Sequence, residues 1–166
     1  MMRTPFTSGF PYMPISISHI CSFVSGSRCL RFDRYGTARE EPSYLKNYSL
    51  LPVVISAANA SPGATFWPLE PLAPAQMHYL VREAYLRGAR FFVVQEEEIA
   101  LVEAALTPQE RVGRELMVVS NRRSAFNDTV ASWRGLLQMP IVAIAGSVGK
   151  STTKEMLASI FVNDGV

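Results

Sequence analysis

The sequence predicts an α/β protein: one small α/β domain, followed by the opening of a second. Three observations carry this. Met77, Leu80, Val81, Ala84 and Tyr85 fall at helical spacing within Gln76–Leu86, Gly88 can stop that helix, and the apolar run Arg90–Gln95 follows as a strand. Glu96–Leu106 and Leu116–Val119 then repeat the helix–strand theme. Finally, Ile141–Ala145 is an apolar run leading through a glycine turn into Met156, Leu157, Ile160 and Phe161, again at helical spacing.

Composition narrows the class. Hydrophobic content of 48% with 18% charged residues fits a folded globular chain. A formal net charge of +2, with basic residues scattered and only Arg122 and Arg123 adjacent, argues against nucleic acid or an anionic membrane as partner. No apolar run reaches membrane-spanning length, and Pro5, Pro11 and Pro14 interrupt any secretory h-region, so the cytoplasm is the expected compartment. Cys21 and Cys29, with only His19 nearby, match no zinc pattern or disulfide framework and read as two thiols.

Taken in order, 1–14 is a loose extension, 15–138 the first domain and 139–166 the start of the second. Ile17, Ile20, Cys21 and Val24 suggest a short helix with Ser18 as N-cap and Gly26 as its close. Arg31–Lys46 is charged and turn-rich, with no convincing strand except around Leu30–Phe32. Leu51–Ile55 and Thr65–Trp67 are short strands on either side of the Ser61-Pro62-Gly63 turn. Pro68–Pro74 is a loop. Glu96, Glu97 and Glu98 read as a solvated first helical turn that complements the helix dipole. Thr107–Gly113 is a polar connection. Ser124–Leu137 is a helix with Ser124 as N-cap and Phe126, Val130, Trp133 and Leu137 on one face.

The chemistry concentrates at Gly146-Ser147-Val148-Gly149-Lys150-Ser151. Glycines let a backbone approach an anion closely, and the first N–H groups of the helix that follows lack partners within it. Lys150 would neutralise β/γ phosphates, Ser151 would ligate Mg²⁺, and Thr152 continues the cradle. The longer phosphate-loop pattern wants glycine where Ile144 stands, so only the short G-x-x-G-K-S form is present. The competing reading is a chance Gly-Lys-Ser turn.

The run GSVGKSTTKEM resembles the ATP loop of the Mur ligases, and its Thr152-Thr153-Lys154-Glu155 continuation is most similar to the branch that adds D-alanyl-D-alanine. Ala145 replaces that family's usual threonine. The resemblance extends to Ser61-Pro62-Gly63-Ala64-Thr65-Phe66, to Ala84 through Val94 and to the Trp133-Arg134 approach. It implies a Mur-ligase-like α/β domain gripping the UDP end of the substrate, then the first strand, phosphate loop and helix of a truncated central ATPase domain. It further implies ATP and Mg²⁺ as cofactors, and UDP-MurNAc-peptide and D-alanyl-D-alanine as substrates joined through an acyl phosphate. Two family features are missing. Ser56-Ala57-Ala58 stands for Asp-Ser-Arg, and Gln76-Met77-His78 for Asp-Gly-His, leaving Ser56 and His78 as candidate substrate contacts. A degenerate paralogue holding a nucleotide without chemistry is the alternative. A folate-polyglutamate-type ligase is disfavoured, because those enzymes place the loop near the chain start. The resemblance also implies that 1–166 alone is inactive as a ligase, with Ile141–Val166 loosely held.

Overall fold

The computed structural model describes residues 17–40, 52–136 and 142–163. By its internal contacts the chain divides into two units, one ending at Gly135 and the other beginning at Leu136.

The first unit grows from two strands, β5 (Phe91–Val94) and β6 (Glu115–Val118), in which every residue is buried. Their side chains alternate between two cores. Phe92, Val94, Leu116 and Val118 enter one; Phe91, Val93 and Met117 enter the other. A strand buried on both faces has no polar side to show, so it reads as a continuous apolar run. The remaining strands are β1 (Arg28–Phe32), β2 (Ala38–Glu40), β3 (Val53–Val54) and β4 (Thr65–Phe66). Together they form a six-stranded mixed sheet in the order β2-β1-β6-β5-β4-β3. β3 to β6 are parallel neighbours, with Phe66 beside Phe92 and Phe92 beside Leu116. β1 joins β6 antiparallel, Arg28 opposite Val118, and β2 joins β1 antiparallel.

Helices cover both faces. On one, α2 (Pro74–Leu86) contributes Met77, Val81 and Ala84, and α3 (Ile99–Ala105) contributes Val102 and Ala105. On the other, α1 (Ile17–Phe23) brings Ile20 and α5 (Arg122–Leu136) brings Ala125, packed with Trp67 and Cys29. Trp67 meets Phe126 edge to face at 5.4 Å. A short α4 (Pro108–Arg111) precedes β6.

Two of the resembling stretches meet where β4 and β5 begin. Gly63 N donates to Gly88 O at 2.8 Å, and Arg90 N donates to Ala64 O at 2.9 Å. Gly88 has φ +98°, and a Cβ there would stand 2.8 Å from Pro62 Cα. Backbone is rigid at that distance, so only glycine fits. The Pro-Gly turn and the Gly-Ala turn are therefore two halves of one packing device.

Several expectations change. Arg31–Lys46 holds a second strand: β2 closes a hairpin with β1 over a turn in which Asp33 accepts from Tyr35 N at 2.8 Å and Thr37 N at 3.1 Å. Its Ala-Arg-Glu sequence lacks an apolar signature because an edge strand needs none; residues 41–46 lie outside the described ones. Thr107–Gly113 contains α4, begun by a capping box in which Thr107 and Glu110 exchange bonds. Ser18 lies inside α1 rather than at its cap. In α5 the cap is Asn121, whose Oδ1 accepts from Ser124 N at 2.9 Å. Its buried residues are Arg122, Ala125 and Thr129, Phe126 and Trp133 are half-buried, and Val130 is exposed. Leu137 lies outside the described residues.

In the second unit, α6 (Lys150–Asn163) forms as expected, but the strand before it does not. Val142–Ala145 belongs to no regular element; Ile141 lies outside the described residues. A parallel strand exists only where neighbouring backbone completes its hydrogen bonds, and the sheet includes no strand from this stretch. Apolar content alone does not supply those bonds.

Candidate functional site

The loop Gly146–Gly149 leads directly into α6. Gly146 has φ +150° and Gly149 +81°, backbone that glycine takes up readily. The Gly149 carbonyl opens the helix, accepting from Thr153 N at 2.9 Å and from Thr153 Oγ1 at 3.0 Å. Ser147, Lys150, Ser151 and Thr152 are exposed, and Val148 is 90% exposed. The first turn carries no acidic residue, so nothing there cancels the positive end of the helix dipole.

Lys150 Nζ folds back over the loop, donating to the Gly146 carbonyl and to Ser147 O at 3.4 Å. The ammonium thus sits beside the helix start it belongs to. An anion entering the loop would exchange these two carbonyl contacts for a charged one, which is the stronger bond. The six residues predicted from sequence as a cradle, with Thr152, are contiguous at one loop–helix junction. The expected strand half of the unit is the part that is missing.

Ser56 and His78 lie in the first unit. Ser56 precedes a 3-10 turn, Ala57–Asn59, at the carboxyl end of β3. Ala57 is buried with Met77 and Val81 of α2, so this turn packs on the helix that carries His78. Both candidate side chains are exposed. Ala57 faces the core, so of Ser56-Ala57-Ala58 only the serine and one methyl reach solvent.

The strand-end edge of the same sheet holds charged residues that sequence reading placed differently. Arg122, 2% exposed, pairs with Glu98, 8% exposed. Arg122 Nη2 also donates to Glu70 O at 2.6 Å, and its own carbonyl accepts from Trp67 Nε1 at 3.0 Å. Glu98 accepts from Gln95 N at 2.8 Å through its other oxygen. One arginine therefore joins the loops after β4, β5 and β6. Glu98 was expected in a solvated helical turn; it is the buried partner of this network. Two further arginines at this edge are also held by glutamates, Arg28 by Glu96 and Arg123 by Glu70. The Glu96 hydrogen bond raises the Arg28 pKa further above its usual value. Each of the three guanidiniums is already engaged by a carboxylate. No local sequence signal marks these pairs, because the partners are separated by 24 to 68 positions.

Among the described residues, no group of three His, Cys, Asp or Glu side chains is placed to hold a metal ion, and no helix is long and apolar enough to cross a membrane. A sandwiched α/β sheet and a separate glycine loop opening a helix define the molecule structurally. Over 60 residues the chain is 35% identical to UDP-N-acetylmuramoyl-tripeptide--D-alanyl-D-alanine ligase of Synechocystis sp. (strain ATCC 27184 / PCC 6803 / Kazusa). The matched stretch is 35% of this chain and 13% of that ligase, a similarity to a Mur ligase confined to a short segment. No family model and no solved structure matches the chain.

Proposed function

We propose that this chain is the amino-terminal part of an ATP-dependent ligase of peptidoglycan precursor synthesis, one that joins D-alanyl-D-alanine to a UDP-MurNAc-tripeptide through an acyl phosphate. The observation that carries the reading is the Gly146–Thr152 junction, where a glycine loop, a lysine and two hydroxyls meet at the start of a 14-residue helix. The local identity to a ligase of that activity supports it. In this reading Lys150 and the helix-opening N–H groups bind the ATP phosphates and offset charge on the transferring phosphoryl group. Ser151 would contribute one oxygen to Mg²⁺. A single protein oxygen suits an ion that keeps waters and phosphate oxygens as its other ligands. When bound, Mg²⁺ neutralises charge on those phosphate oxygens.

A second reading, a nucleotide-binding paralogue without ligase chemistry, is favoured by one observation. The sheet edge that would grip the UDP end offers Ser56-Ala57-Ala58, with Ala58 where the arginine would stand, and Arg28, Arg122 and Arg123 along the same edge are engaged by glutamates.

The test is Lys150→Ala in the protein read from the complete open reading frame. ATP turnover should fall by about 10²–10³-fold, the usual loss for a group that stabilises transition-state charge. Circular dichroism should be unchanged, because the side chain is exposed. Unaltered turnover would remove Lys150 from the site. Retained ATP turnover in the parent protein, with no amide product from UDP-MurNAc-tripeptide and D-alanyl-D-alanine, would favour the second reading.

A further inference from the structure

We propose that Cys21 and Cys29 form a redox modification site, closing to an intramolecular disulfide when the protein meets a small-molecule disulfide. The two sulfurs lie 3.5 Å apart. Cys29 is the second residue of β1 and is buried, whereas Cys21 is partly exposed near the end of α1. β1 is hydrogen-bonded to β2 on one side and to β6 on the other, so Cys29 is fixed within the sheet. The helix opposite is short, only seven residues, and is anchored on this face by Ile20. It connects to β1 through Val24–Ser27, with Gly26 at φ +73°. Closure takes the sulfurs from their 3.5 Å contact to a bond of about 2.05 Å.

The more exposed thiol reacts first. With oxidised glutathione as oxidant, the Cys21 thiolate attacks one glutathione sulfur, forms a mixed disulfide and expels one glutathione thiolate. Cys29, losing its proton, then attacks the Cys21 sulfur and expels the second. One protein disulfide is formed, one oxidised glutathione is reduced to two thiols, and the two protein protons end on those thiols. The bond ties α1 covalently to β1, so the oxidation state of the pair sets how firmly this helix is held to the sheet.

The sequence provides a direct readout. Arg28 lies between the two cysteines and Arg31 follows the second. Trypsin without reductant therefore yields one peptide ending at Arg28 and another, Cys29–Arg31, joined only by the disulfide. The native 166-residue chain treated with oxidised glutathione should give this joined pair, and dithiothreitol should separate it. In the native chain the joined pair should survive a roughly tenfold or more higher ratio of reduced to oxidised glutathione than in the guanidinium-denatured chain, since the fold has already brought the sulfurs together. Cys21→Ala and Cys29→Ala should each abolish the joined pair. Cys21 found as a lasting glutathione adduct, cysteines joined between two chains, or equal thiol–disulfide equilibria in native and denatured protein would each overturn the proposal.

Discussion

The two units of this chain contain similar residue types and put them to different use. In the first, Phe92, Val94, Leu116 and Val118 are buried on one face of a sheet, and Phe91, Val93 and Met117 on the other. In the second, Val142, Val148, Met156, Ile160, Phe161 and Val162 are all exposed. The difference is one of layers. A sheet sandwiched by helices gives each apolar side chain a neighbour on every side, whereas a loop and one helix give it a neighbour on one side at most. The first unit is thus organised by burial and the second by local backbone chemistry: positive-φ glycines, a helix start and a lysine bonded to its own loop.

The widest contrast should come from paired truncations. Phe92→Ala, at a fully buried site, should destabilise the protein by about 3–5 kcal/mol in denaturant titration. Phe161→Ala, 45% exposed, should change it by under about 0.5 kcal/mol. Comparable losses at both positions would erase the distinction between a core-built unit and a locally built one.

Arg122→Ala probes how far the first unit depends on a buried charge. Leaving Glu98 ionised without its partner should cost about 3–5 kcal/mol. A double change, Arg122→Met with Glu98→Gln, should recover part of that loss, because the isolated carboxylate is then gone. Equal losses in the single and double variants would show that the arginine matters for its packing and its bond to Glu70 O rather than for its charge.

A smaller effect concerns substrate. Calorimetry of a UDP-muramyl peptide against the complete protein should show weak binding. One lost charged hydrogen bond, from the absent arginine at Ser56-Ala57-Ala58, accounts for about 1.5–3 kcal/mol. Tight binding would mean that other residues of the first unit supply the grip.

The smallest effect is a pH dependence. The Arg82 hydrogen bond, with help from Thr107, lowers the Glu110 pKa from 4.5 to about 2. A carboxyl whose folded pKa is depressed contributes stability above its unfolded pKa and loses it as pH falls through the folded one. The stabilisation should therefore be complete above about pH 4.5 and fade towards pH 2. Glu110→Gln should flatten that part of the acid-unfolding profile by lowering stability at neutral pH, where the Glu110 contribution is fully present, and changing it little near pH 2. An unchanged acid limb would assign the pH dependence elsewhere, Asp33 being the next candidate, since its bonds to Arg39, Thr37 and Tyr35 also lower its pKa.

Much of the first unit was legible as local pattern. β5 and β6 announce themselves as apolar runs, α2 by its helical period and Gly88 stop, and the Pro62-Gly63 turn by composition. The glycine turn before Lys150 and the helix that follows were equally legible as conformation, because glycine's backbone freedom and a helical period need no distant partner. Period, turn preference and side-chain chemistry are properties of neighbouring residues, so the chain carries them in linear order. The Pro62–Gly88 contact shows that the two turns encode one packing geometry.

What only the tertiary structure decided involves partners far apart in the chain. β2 is a strand because β1 pairs with it, not because Ala-Arg-Glu favours one. Glu98 is a buried ion-pair partner because β5 and β6 place their loops side by side, 24 residues apart in sequence. Cys21 and Cys29 become neighbours because α1 lies over β1. Val142–Ala145, with every local feature of a strand, is not one, since a strand is completed by backbone hydrogen bonds from another segment. Sequence patterns report what a residue prefers, and long-range pairing decides whether that preference is met.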